Sequence, residues 1–156
     1  MVLSCIESRV APELIFDTGP GDLFVLRTGG RAVGPVVTGS AEYGPVTSAT
    51  PLVFVLGHRR WGAIDAVYKA TLAGKPLPEQ PDANAKALRP AYGLTVKEGG
   101  PDAVDRMVRA RIELTADDLR TDADLSPMVK EGALAVVGGS YSLDTGPLEV
   151  LSGAPA

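Results

Sequence analysis

The sequence predicts an α/β fold, a mainly parallel central sheet with flanking helices and an antiparallel edge strand. Short apolar runs at Val2 to Ser4, Leu23 to Leu26, Leu52 to Leu56 and Leu134 to Val137 are each bounded by Gly, Pro or polar residues. That is the pattern of strands covered on both faces. Helical stretches lie between these runs, and strands alternating with helices make βαβ units with parallel strands. Near the carboxyl end, Ala135 to Tyr141 and Leu148 to Leu151 flank the turn Asp144-Thr145-Gly146. This hairpin pattern adds the antiparallel edge.

The helices follow from their own signals. Ala11 to Phe16 places Pro12 near the first helical position, where the missing N–H costs nothing. Ala63 to Leu72 is amphipathic and stops at Gly74 and Pro76, while Ala83 to Leu88 and Ala103 to Leu114 are periodic, the latter opened by Pro101 and Asp102. The Pro- and Gly-rich stretch Lys75 to Pro81 reads as a loop within one domain, because neither side alone could bury a core.

The 156 residues suit a single domain. A net charge of −4 argues against a nucleic-acid surface or a basic membrane anchor. No apolar run reaches the ~18 residues of a membrane span, and Met1 to Cys5 lacks the pattern of a secretory signal. The single cysteine cannot form an intrachain disulfide, which fits a reducing, cytoplasmic compartment.

In an open parallel sheet, ligands gather beyond the carboxyl ends of the strands. Cys5-Ile6-Glu7-Ser8-Arg9 directly follows the first predicted strand, and Gly57-His58-Arg59-Arg60-Trp61-Gly62 follows the strand Leu52 to Leu56. If those strands are neighbours, Cys5 and the only histidine, His58, converge on one site. The plainer readings are a buried apolar thiol for Cys5, a hydrogen-bonded structural histidine for His58, a strand-end salt bridge for Glu7 and Arg9, and solvated loop charges for Arg59 and Arg60. For Arg27 the plain reading is an interface or structural salt bridge.

Together the two constellations resemble the β-class carbonic anhydrase family, which carries Cys-x-Asp-x-Arg after its first core strand and His-x-x-Cys after a later one. Here they stand as Cys5-Ile6-Glu7-Ser8-Arg9 and His58-Arg59-Arg60-Trp61. Arg9-Val10-Ala11-Pro12-Glu13, Gly21-Asp22-Leu23-Phe24-Val25-Leu26-Arg27, Gly39-Ser40-Ala41-Glu42-Tyr43 and Val136-Val137-Gly138-Gly139-Ser140-Tyr141 are similar to the family as well. The resemblance implies a homo-oligomer, dimer or tetramer, with the site near the dimer interface. It implies a zinc ion bound by Cys5 and His58, with Arg9 orienting the carboxylate of Glu7, which in the family either accepts a hydrogen bond from zinc-bound water or ligates the metal. The reaction it implies is CO2 hydration.

Departures from the family pattern leave several functions open. Trp61 stands where the second thiolate belongs, and an indole nitrogen only donates. Glu7 is longer than Asp by one methylene. The chain begins at the first core strand, where family members usually carry preceding helices, and Pro45 falls where they have a continuous helix, so Ser40 to Thr47 is expected to be distorted.

One reading keeps a zinc enzyme, a lyase or hydrolase. Cys5, His58 and Glu7 are its ligands, Trp61 and Gly62 border its pocket, and it acts on CO2 or bicarbonate or on a repurposed small carbonyl or carboxyl substrate. A second drops the metal. Two ligands of one tetrahedral zinc sit ~3.5 Å apart by their bond lengths, so the bare Cys5–His58 pair resembles an activated thiolate and its base. Arg9 then favours the thiolate or binds a carboxylate. A third is a non-catalytic binding or assembly homologue.

Overall fold

The strands that carry the two motifs are deeply covered. β1 (Val2–Cys5) is buried at every position, and β3 (Leu52–His58) at every position after its first. The computed structural model describes residues 1–29, 33–60, 62–73, 82–95, 100 and 102–154. β2 (Val25–Thr28), β4 (Ala135–Tyr141) and β5 (Leu148–Ser152) complete a five-stranded sheet in the order β2-β1-β3-β4-β5. β1 runs parallel to both β2 and β3, β3 parallel to β4, and only β5 pairs antiparallel. This is the predicted fold class.

Two-residue alternation sorts the sheet's side chains into two layers. Leu3, Cys5, Val53, Val55 and Val136 face a core shared with α2 (Pro35–Ser48), α3 (Gly62–Leu72), α4 (Asp82–Thr95) and α5 (Ala103–Thr121). Val2, Phe54, Leu56 and Val137 face a smaller core closed by Phe16 and by Tyr141, Leu143 and Leu148 of the hairpin. Phe16, just after α1 (Pro12–Ile15), meets Phe54 edge-on with ring centroids 5.2 Å apart. α5 dominates the larger layer because Met107, Val108, Ile112, Ala116 and Leu119 recur at helical spacing and are all buried. Each fully buried Leu or Met there contributes roughly 1.5–3 kcal/mol relative to an exposed one.

Some expectations needed revision. β2 lies at Val25–Thr28 rather than Leu23 to Leu26, and Phe24 just before it already bonds β1, its carbonyl accepting from the Val2 N–H at 2.8 Å. α4 continues through Pro90 to Thr95, α5 continues to Thr121, and a short α6 (Ser126–Lys130) follows. The region Ser40 to Thr47, expected to be distorted by Pro45, lies within a helix that runs through to Ser48. Pro45 removes one hydrogen-bond donor, but only one further turn follows, and the ring is buried. The helix then ends on left-handed Ala49, and the Thr50 N–H just beyond it donates to the Gly44 carbonyl at 3.2 Å. The predicted loop Lys75 to Pro81 lies outside the described residues. Among the described residues, no helix is long and apolar enough to cross a membrane.

Candidate active site

Cys5 is the last residue of β1 and His58 the last of β3, and these strands are direct neighbours. Val2 pairs with Phe54 and Leu3 with Val55, so the same register brings Cys5 level with Gly57, beside His58. Both side chains are buried, Cys5 2% exposed and His58 0%. Cys5 belongs to the row of Leu3, whereas His58 continues the row of Phe54 and Leu56. They leave the sheet from opposite sides of the pleat, and a shared ligand reaches both only past the carboxyl edge.

Glu7 and Arg9 occupy that edge. Arg9 Nε donates to Glu7 Oε1 at 2.8 Å, its Nη2 to Oε2 at 3.0 Å, and its backbone N–H to Oε1 at 3.3 Å. These hydrogen bonds hold the Glu7 carboxyl at a pKa of about 2, with a smaller lowering contribution from His58. At neutral pH Glu7 is therefore a fixed acceptor and a feeble base. The Arg9 guanidinium is raised by the same pairing.

Arg27, whose plain reading from the sequence is an interface or structural salt bridge, lies on β2 beside the motif turn. Instead of an acidic partner it takes main-chain carbonyls of the motif, its Nε donating to Cys5 O at 2.9 Å and its Nη2 to Glu7 O at 2.5 Å. β2 pairs with β1 so that Thr28 stands opposite Cys5, which brings Arg27 within reach of the turn. No acidic residue marks that role in the sequence.

His58 Nδ1 lies 2.9 Å from the Arg59 carbonyl. A carbonyl only accepts, so Nδ1 carries a proton in this contact. Arg59 and Arg60, whose plainer reading is solvated loop charges, are each ion-paired: Arg59 Nε with Asp105 at 3.1 Å and Arg60 Nε with Asp144 at 2.9 Å. With Gly62, Asp65 and Asp102 they line an open groove of about 500 Å³ in which carboxylates outnumber guanidiniums. Neither Cys5 nor His58 is among its walls. Trp61 lies outside the described residues.

The donor chemistry suits zinc in part. A buried thiol and an imidazole are zinc donors, whereas both oxygens of the next carboxylate, Glu7, are taken by Arg9. Among the described residues, three donor atoms lie within 4.8 Å of one another at Glu42, Asp122 and Asp124, on α2 and between α5 and α6. The Glu42 carboxyl is pushed up by burial and by those two aspartates. Nothing in sequence spacing announces that cluster.

A model of the carbonic anhydrase family matches residues 1–148. The chain is 34% identical over 151 residues to carbonic anhydrase 2 of Mycobacterium tuberculosis, covering 94% of this chain and 70% of that protein. It is 32% identical over 156 residues to the carbonic anhydrase of Mycolicibacterium smegmatis, covering 97% and 74%. Among solved structures, the Coccomyxa β-carbonic anhydrase in complex with acetazolamide superposes with a TM-score of 0.79 at 26% identity, covering 96% of this chain and 71% of that one. A tetrameric β-carbonic anhydrase of Sordaria macrospora reaches 0.83 at 18% identity, covering 99% and 82%. Shared sequence along nearly the whole chain and a shared sheet place this protein in the β-class carbonic anhydrase family.

Proposed function

We infer that this chain is one β-carbonic anhydrase-like domain working as an enzyme with an altered zinc site. Cys5 and His58 hold the metal, and Glu7 is either the third ligand or the acceptor that orients the attacking water. The observation that supports this reading is that Cys5 and His58, both buried, stand at the carboxyl ends of adjacent parallel strands. Zinc bound there supplies Lewis acidity, making water a nucleophile near neutral pH.

The remaining work falls to the chain itself. Arg27 fixes the backbone of the Cys5–Glu7 turn through its carbonyls. Arg9 keeps Glu7 ionised and aimed, so Glu7 can accept a hydrogen bond and align a lone pair without removing the proton. Its pKa of about 2 makes it an orienting group rather than an acid or base. Burial of Cys5 and His58 limits competing water. The substrate class is CO2 or bicarbonate, or another small carbonyl or carboxyl compound.

The exposed apolar residues Leu14, Val36, Tyr43 and Val46 support association into a homodimer or tetramer, which sedimentation would test. The test of the enzyme is elemental analysis of protein purified without added zinc or chelator, followed by a CO2 hydration assay. About one zinc per chain supports the inherited chemistry, and none overturns it.

The double engagement of Glu7 by Arg9 favours a second reading, a metal-free Cys5–His58 pair. Rapid, selective alkylation of Cys5 in zinc-free protein would identify it. An alkylation rate no faster than that of free cysteine, without zinc but with stable association, would leave a non-catalytic assembly role.

A further inference from the structure

We propose that Asp105 is a positioning residue for His58, acting through Arg59. The proposal deepens the reading of His58 as a site ligand and rests on it for its consequence. Its geometric content can be tested without metal.

The tautomer of His58 depends on where the Arg59 carbonyl stays, since that oxygen accepts from Nδ1 at 2.9 Å. Arg59 is fixed from several directions. Its own N–H donates to Tyr141 O at 3.0 Å, extending the β3–β4 ladder beyond the His58–Tyr141 pair. Its guanidinium Nε donates to Asp105 Oδ1 at 3.1 Å. The next residue, Arg60, sits in the left-handed region at φ 55, a conformation that a residue with a Cβ adopts only under constraint, and its side chain is tied to Asp144.

Asp105 does not float at the end of this chain of contacts. Its Oδ2 accepts from Arg109 Nε at 2.9 Å, and the terminal nitrogens of Arg109 donate to both oxygens of Glu149 at 2.9 and 2.6 Å. Glu149 stands opposite Ser140 in the β4–β5 ladder, and Ser140 stands opposite Gly57 in the β3–β4 ladder. The path therefore leaves β3 at Arg59, crosses α5 and returns to the sheet one residue before His58. A closed circuit of this kind sets direction. The Arg59–Asp105 pair is half-exposed, with side chains 48% and 21% accessible, and such pairs contribute little to stability. Its effect is to stop the Arg59 carbonyl from rotating away from the imidazole, keeping the proton on Nδ1 and the lone pair on Nε2.

His58 is the only histidine in the chain, so every imidazole nitrogen signal of the ¹⁵N-labelled protein belongs to it. In chelator, with the ring neutral, the wild-type protein is expected to show a protonated Nδ1 and an unprotonated Nε2. Asp105→Ala is expected to give a tautomer mixture with both nitrogens shifted toward an average, while Asp105→Glu, which keeps the carboxylate, restores most of the wild-type pattern. Asp65→Asn, on the same groove, leaves the pattern unchanged. Zinc affinity, read by competition with a chelating dye, falls by about 10-fold in Asp105→Ala, as expected for a residue that orients a ligand. Asp105→Asn, which preserves size, replaces Asp105→Ala if the latter fails to fold. A wild-type Nε2–H tautomer, or an unchanged Nδ1–H tautomer in folded Asp105→Ala or Asp105→Asn, would overturn the proposal. Wild-type protein that binds no zinc would remove the zinc reading alone, with the tautomer result still deciding this one.

Discussion

The carboxylate of Glu7 and the guanidinium of Arg9 meet with both oxygens engaged, at 2.8 and 3.0 Å, directly beyond the strand that ends in Cys5. The pairing has a pH signature. Glu7 is lowered from 4.5 to about 2 in the folded state, so its contribution to stability is fully present above about 4.5 and is lost as pH falls toward about 2. In Arg9→Met, carboxyl NMR is expected to show Glu7 titrating close to its ordinary value. The urea midpoint of that variant should converge on that of the wild type below the lowered pKa. A Glu7 pKa unchanged by the substitution would show that Arg9 is not the cause.

Replacing the indole at position 61 tests the zinc reading from the opposite direction. Trp61→Cys adds a thiolate where the family pattern has one, completing a three-ligand protein set. Zinc affinity is expected to rise at least about 10-fold, or ~1.4 kcal/mol, as measured by chelator competition. An unchanged affinity would mean that Cys5 and His58 are not acting as ligands.

Arg27 ties the motif turn to β2 through the carbonyls of Cys5 and Glu7. Arg27→Met leaves these carbonyls to water and should cost about 1 kcal/mol, since the side chain lies at the surface. The larger effect is local. Alkylation of the buried Cys5 is expected to accelerate several-fold as the turn loosens, and an unaltered rate would limit Arg27 to a stabilising role.

Gly139 leaves no room for a side chain. An added Cβ would lie 2.5 Å from Phe54 Cζ and 3.0 Å from the Glu149 carbonyl. Gly139→Ala is expected to destabilise by about 1–3 kcal/mol, read by denaturant unfolding, because Phe54 is wedged against Phe16 and the opposing carbonyl is backbone.

Much of this architecture is legible in the sequence because it is written in local patterns. Short apolar runs between breakers located β1, β3 and β4, and Asp144-Thr145-Gly146 located the hairpin. β2 was misplaced because Leu23 and Phe24 are as apolar as Val25 and Leu26, so hydrophobicity alone could not locate its start. The full length of α4 was not legible, because the periodic stretch ends at Leu88 while the helix continues past Pro90 to Thr95. The strand-end positions of Cys5, Glu7, Arg9 and His58 followed from motif and strand order. Asp105 and Arg109 stand at the i,i+4 spacing of one helix face, but the links from Arg59 to Asp105, from Arg109 to Glu149, and from Glu42 to Asp122 and Asp124 join residues far apart in the chain, and only the folded arrangement brings them together.

Cys5 and His58 emerge from opposite sides of the pleat, so their separation is governed by how β1 and β3 are aligned along their length. The pair thus behaves as a vernier on strand registry. A slide of one strand against the other, too small to disturb the hydrophobic layers much, would carry the thiol and the imidazole out of step at the rim. Substitutions deep in the sheet, at positions such as Val2 or Phe54 where β1 and β3 pair, are therefore expected to change the spacing of Cys5 and His58 at the rim without replacing either residue.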